Sequence, residues 1–310
     1  MTNSPTTETH RPAAAPRPAA AWPALLALVL VPLVWGYNWV VMKSALAYVG
    51  LFEFAAMRYV PASLILLAAL PLLRRPMAVR PMASVAWAGI LQTAVNTALT
   101  LLALRTGPAG RSALLCYTMP LWAVLMGWMG LGERPGRIQA AALSAAGAGI
   151  ALVFSSPGAS GNLAAAALAT GSGVAWAWGT VLTRRIMVRG CMDPLAVTAW
   201  QMLFGGLGLW IAALFFPGRP TVWSPYFVFA LLYEVLPATA VAWLLWTALL
   251  KRVSAGVASF SILAGPVIGL AASAIELGER PHGLEAAGLG LLVLALLLVG
   301  PLAVREARRA

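Results

Sequence analysis

Charge is the scarcest commodity in this sequence: only 10% of its 310 residues are Asp, Glu, Lys or Arg, and nine are acidic. A soluble protein of this size needs more charged surface than that, so the chain reads as a polytopic membrane protein. Histidine is nearly missing. His10 sits in an N-terminal tail and His282 in a loop, which leaves zinc hydrolysis and Ser-His-Asp chemistry without their base. The two cysteines, Cys116 within an apolar run and Cys191 in a loop, supply neither metal-ligand spacing nor a disulfide framework. Neither lysine, Lys43 or Lys251, follows a glycine-rich loop, so the P-loop of an ATP-driven pump is missing. No cofactor and no metal are expected, and any transport must draw on a gradient. The net charge of +12 does not point to nucleic acid, because the basic residues cluster between apolar runs, as membrane loops require.

What is abundant is apolar length, and it is duplicated. The stretch from Cys116 to Pro135 has a second copy from Ile262 to Pro281. Pro120 matches Pro266, and the closing Leu-Gly-Glu-Arg-Pro at Leu131 recurs at Leu277. The same offset of 146 carries Arg105 onto Lys251 and Gly110 onto Gly256, while an offset of 143 lays Trp35-Gly36 on Trp178-Gly179. With a span taken as about 20 apolar residues, helices are expected near 22–42, 52–73, 83–104, 111–131, 138–155, 163–183, 194–216, 226–249, 256–276 and 284–304. Five spans per half is an odd number, so the second half enters the membrane upside down relative to the first. The expected fold is therefore all-α: ten transmembrane helices arranged as two inverted five-helix repeats, 22–155 and 163–304. A disordered Pro- and Ala-rich tail, 1–21, precedes them, and a basic tail, 305–310, follows.

The first apolar segment has the length of a full span and no small-residue cleavage site, so it reads as a retained helix and not a signal peptide. Fifteen of the 21 basic residues fall on one side if the amino terminus is cytoplasmic, which predicts both termini inside an inner (plasma) membrane.

Trp35-Gly36-Tyr37-Asn38 followed by Lys43, then Ala56-Met57-Arg58-Tyr59, and the paired helices ending in Leu-Gly-Glu resemble the drug/metabolite transporter superfamily, EamA family. The similarity covers nearly the whole chain after the tail. It implies a ten-helix carrier whose two halves enclose a central cavity and commonly export amino acids or other small metabolites from bacteria. The halves depart from each other in their polar groups, with Thr180-Val181 standing where the first half has Tyr37-Asn38, and Gln201 aligned with Arg58.

Matched prolines at mid-span, Pro120 and Pro266, interrupt the helix where a freed carbonyl needs a partner, which marks a substrate path; a packing kink is the plainer alternative. On the third span Thr93, Asn96, Thr97 and Thr100 share one helical face, with Gln92 at its border. Thr239, Trp243 and Trp246 form the facing stripe on the eighth, which together suit a ligand with an apolar body and hydrogen-bonding groups. Helix packing would use the same residues. Trp35, Asn38 and Trp39 share a face of the first span and Trp176 and Trp178 occupy the sixth, too deep for interfacial anchors. Tyr117, beside Pro120, completes the expected substrate site. Glu133 and Glu279 read as caps of the helices that follow them, and Gly147 and Gly288 as close-packing positions.

Glu234 is the one acidic residue deep within a span, about 12 Å from its start, and Arg58 lies about 9 Å into the second span from the same side. A buried ion pair is expected, either fixing helix packing or, if transport separates the partners, admitting a proton. The partners expected are thus a small-molecule substrate and the lipid bilayer, with a monomer sufficient to enclose the site. Efflux of cationic drugs is the alternative within transport, weakened because Asn38 stands where such a pump wants a carboxylate. A membrane-embedded enzyme or lipid-handling protein ranks last, for want of ionisable groups in the spans.

Overall fold

The computed structural model describes residues 22–155, 163–189 and 192–252, then 258, 262, 264–278 and scattered positions between 283 and 301. The expected tails, Cys191 and Glu279 lie outside the described residues. Every regular element among these is helical, as an apolar chain in lipid demands: only a helix satisfies its backbone groups within the segment. The elements are α1 (Trp22–Ala45), α2 (Leu51–Leu72), α3 (Met82–Gly89), α4 (Asn96–Thr106), α5 (Ala109–Cys116), α6 (Met119–Leu131), α7 (Arg137–Phe154), α8 (Leu163–Arg189), α9 (Pro194–Phe215), α10 (Pro225–Val235), α11 (Ala242–Arg252) and α12 (Ala264–Glu276).

Six stretches are long and apolar enough to cross a membrane: Leu28–Ala45, Leu51–Leu72, Met82–Thr106, Ala164–Arg189, Pro194–Phe215 and Pro225–Arg252. Four shorter apolar helices, Met119–Leu131, Arg137–Leu152, Val267–Glu276 and Ala286–Ala295, stand where the remaining spans are expected. The protein is a multi-pass, membrane-embedded helical protein. Two of its long helices open with a side-chain cap followed by proline. Asp193 Oδ1 accepts from the Leu195 N–H at 2.9 Å, and Ser224 Oγ from Phe227 N–H at 3.1 Å, so the first-turn donors are satisfied where proline costs nothing.

Three interruptions among the described residues shape the interior. A π-helical turn, Ile90–Val95, joins α3 to α4, and another, Leu236–Val241, joins α10 to α11. They are separated by the same 146 residues as the sequence repeat. The third is a break at Tyr117 and Thr118, which divides the fourth span into α5 and α6. This corrects the expectation that Pro120 removes a backbone hydrogen bond in the middle of a helix, whether to free a carbonyl on the substrate path or only to kink the span. Pro120 stands in the first turn of α6, a position with no helical hydrogen bond to lose, and the chain is already broken before it. Pro266 likewise falls in the first turn of α12.

The packing is closest where glycine faces a neighbouring helix. A Cβ on Gly205 of α9 would overlap the Thr93 side chain, and α2 and α9 form the most extensive helix pair. Two other expectations change. Gly149, not Gly147, meets the Gly288 carbonyl, 2.6 Å from where its Cβ would stand, and a Cβ on Gly147 would meet nothing within 4 Å among the described residues. Glu133 is not the cap of α7, which begins four residues later. Its Oε1 lies 3.4 Å from Arg184 Nε of α8, because the left-handed turn at Gly132 (φ 73°) carries it back across the bundle.

Candidate functional site

The interrupted helices surround a small cavity of about 70 Å³, walled by α1, α2, α4, the α5–α6 break, α8 and α11. At roughly 10–15 Å³ per water, this holds a handful of waters, so a larger ligand enters only as the walls part. One wall is tryptophan. Trp35 lies edge-on to Trp176 at a centroid distance of 5.1 Å, and Trp176 meets Trp243 at 5.1 Å. Trp246 closes the cluster behind them, 5.8 Å from both Trp35 and Trp176. The cluster rests on the second π turn. There the Ala242 N–H reaches the Pro237 and Thr239 carbonyls and passes over Ala238, whose oxygen accepts from the Trp35 indole N–H at 2.9 Å. A helical irregularity thus fixes an aromatic side chain on the cavity wall.

The opposite wall is polar. Asn96, Thr97 and Thr100 of α4 line it together with Cys116, Tyr117 and Met119 from the break. Thr97 Oγ1 donates to the Tyr59 hydroxyl at 3.0 Å, and Asn96 Nδ2 to the Ser172 carbonyl at 3.0 Å. Trp39, which packs on Tyr117 at 6.1 Å, closes one corner.

Arg58 borders the same cavity. Its Nη1 is 2.9 Å from Glu234 Oε2, and its Nε donates to Thr239 Oγ1 at 2.6 Å. With its amide nitrogen turned to the carboxylate, Asn38 donates to Glu234 Oε1 at 2.9 Å and Oε2 at 3.2 Å. Glu234 is wholly buried and Arg58 is 5% exposed. Each charge in this dry setting would be costly alone, and the hydrogen bonds that surround the pair are what such burial requires.

Of the residues expected to contact substrate, the structure brings Trp35, Asn38, Trp39, Asn96, Thr97, Tyr117 and Trp243 to the cavity. Thr239 and Trp246 lie one layer behind. Three others stand elsewhere. Gln92 and Thr93 are fully buried between helices: Gln92 Nε2 donates to Thr180 Oγ1 at 2.9 Å, and its Oε1 accepts from Gln201 Nε2 at 2.7 Å. The π turn before Asn96 explains this, since an extra residue in the turn rotates Gln92 and Thr93 off the face that carries Asn96, Thr97 and Thr100. Trp178 is 52% exposed, whereas Trp176, two residues and about 200° around α8, points inward in its place. Pro120 is buried beside the cavity without lining it, and the side chain of Pro266 lies outside the described residues. Met42, Tyr59, Cys116 and Met119 line the cavity without having been singled out for that role. Tyr59 carries the clearest missed signal, as the neighbour of a buried arginine at the same depth.

The sequence profile described as the EamA-like transporter family matches the chain twice, at residues 22–155 and 163–300. The uncharacterized transporter YvbV of Bacillus subtilis (strain 168) is 29% identical over 279 residues, covering 88% of this chain and 90% of that one. A protein of Salmonella typhimurium named a probable amino-acid metabolite efflux pump is 26% identical over 293 residues, or 91% of this chain and 96% of its own length. A solved crystal structure that is 22% identical superposes with a TM-score of 0.71 over 91% of this chain and 98% of that one, a likeness of fold. With both halves matched by one profile and relatives named as transporters along nearly its full length, the chain belongs to the EamA-like transporter family, whose members are transporters and not enzymes.

Proposed function

We propose that the protein is a secondary transporter that exports a small metabolite, an amino acid or a related compound, across the inner membrane by alternating access of two inverted five-helix halves. The observation that carries this reading is a cavity shared between the halves. Trp35, Asn38, Trp39, Asn96, Thr97 and Tyr117 come from one, Trp176 and Trp243 from the other. Support for the repeat comes from the π turns spaced by 146 residues and from the double match of the family profile. One chain encloses the site, so a monomer is sufficient.

The two ends of the bundle also carry different locks, each built from both halves. Arg58, Glu234, Asn38 and Thr239 cluster toward the end of the bundle where α1 finishes and α2 begins. Gln201, which aligns with Arg58 in the repeat, instead joins Gln92, Thr180 and Thr183 toward the opposite end, where Thr183 Oγ1 lies 3.2 Å from Gln201 Oε1. A charged lock on one side of the cavity and a neutral one on the other gives alternating access two unlike barriers to open in turn.

The test is a stabilisation screen of the purified protein against amino acids and related metabolites. A ligand at about a hundred times its Kd adds about 2.7 kcal/mol to stability, enough to raise the melting temperature by a few degrees. Hits confined to that class support the reading. Stabilisation by organic cations alone favours cationic-drug efflux in its place.

A further inference from the structure

The cavity holds an asymmetry of charge. Among the described residues that line it, Arg58 alone is charged; its counter-ion Glu234 is not a lining residue. A ligand in the cavity therefore meets a guanidinium and not a carboxylate. Arg58 uses Nη1 on Glu234 and on Met42 Sδ and Nε on Thr239, while Nη2 has no hydrogen-bond partner among the described residues. On the tryptophan wall, the indole N–H of Trp176 is buried and has no partner among the described residues. The Arg58 guanidinium thus keeps one amino group for a ligand, and the group that answers it is an anionic acceptor. The same tryptophan wall, from Trp35 to Trp243, offers flat apolar surface to the rest of such a molecule. Met42 and Met119 supply flexible side chains that can yield to it.

We propose that the substrate is a carboxylate with a flat apolar body, that Arg58 grips its carboxylate, and that Glu234 is the built-in carboxylate it displaces. This rests on the transporter reading of the cavity and narrows it. Guanidinium and carboxylate match as a two-pronged pair, so substrate and Glu234 compete for one fork. When substrate takes it, Glu234 is left in a dry interior facing only Asn38 from α1, with the phenols of Tyr59 on α2 and Tyr233 on its own helix nearby. An unpaired charge does not persist there, and Glu234 takes one proton from water as the carboxylate binds. No bond is made or broken besides that to the proton. Binding of the carboxylate anion thus consumes a proton and tightens as pH falls.

The experiment measures binding of four probes to the full-length protein: 3-phenylpropionate, L-phenylalanine, L-phenylalaninamide and phenethylamine. The two carboxylates are expected to bind at least about tenfold more tightly than the two cations without a carboxylate. Between about pH 6 and 8 their affinity is expected to rise by up to about tenfold per unit of falling pH. E234Q should bind them without that pH dependence. R58K keeps the charge but not the fork and should lose about tenfold, and the double variant R58Q/E234Q, which removes both buried charges together and so spares the fold, should lose the preference for carboxylates. Equal binding of phenethylamine and 3-phenylpropionate, or no binding of either carboxylate, overturns the proposal, as does carboxylate affinity that ignores pH in the wild type. If a neutral or cationic metabolite is instead bound and carried into liposomes, the transporter reading stands and this assignment of Arg58 falls alone. If no metabolite of any class binds, both fall.

Discussion

Glu234 and Arg58 show how far depth within a span can be read at the level of single residues. Counting from the helix starts placed both groups at one height, and their side chains meet at 2.9 Å. The count could not show that Glu234 sits behind Arg58, because that depends on how α1, α2 and α10 rotate about their axes. The same ignorance of rotation exchanged Trp178 for Trp176. The energetic consequence is testable. Arg58→Ala leaves Glu234 as a buried charge without its cation, at a cost of about 3–5 kcal/mol, whereas Arg75→Ala opens a pair that is 60% exposed on the arginine side and costs less than about 1 kcal/mol. Thermal unfolding in detergent should rank them in that order, with E234Q restoring part of the loss when added to Arg58→Ala. Equal melting temperatures for both alanine variants would mean that the Arg58 pair is not held in a dry interior.

Elements were legible wherever an apolar run was long and uninterrupted, as in α2 and α9, because lipid leaves the backbone no alternative to helix. Their irregularities were not. No residue type in Ile90–Val95 announces a π turn, and that one turn moved Gln92 from the expected cavity face into a hydrogen-bond network with Gln201, and Thr93 against Gly205. At the fourth span, proline gave the right place and the wrong event: the helix ends at Cys116 and restarts at Met119. The restart carries a prediction about access. In a background lacking Cys116 and Cys191, a cysteine replacing Met119 should react with a small thiol reagent and be protected by saturating substrate. Gly265 is a poor partner for this test, since any Cβ there would overlap the Tyr117 hydroxyl. Labelling at position 119 that is unaffected by substrate would place the substrate path away from the break.

For the molecule as a whole, duplication in the sequence predicts two inverted halves, and the placement of the basic residues predicts both termini inside. Reporter fusions at Ala310 and in the loop near Gly278 should lie on opposite sides of the membrane, with Ala310 cytoplasmic. Reporters on one side would break both the ten-span count and the inverted repeat. The substrate was the least legible feature, because it depends on a cavity assembled from six spans whose polar groups do not match between the two sequence repeats. The central claim, that this cavity carries the transported metabolite, is tested most directly by counterflow in liposomes, using the best stabilising metabolite and comparing the wild type with Trp243→Ala. Trp243 is 1% exposed and touches Trp35, Trp176 and Tyr59. The account predicts that wild-type liposomes accumulate label and that the folded variant does so at least about tenfold more slowly, since losing an aromatic wall of the site removes on the order of 1.4 kcal/mol or more of ligand or transition-state binding. Equal counterflow by a folded Trp243→Ala protein, or none by a wild type that binds the metabolite, would contradict it.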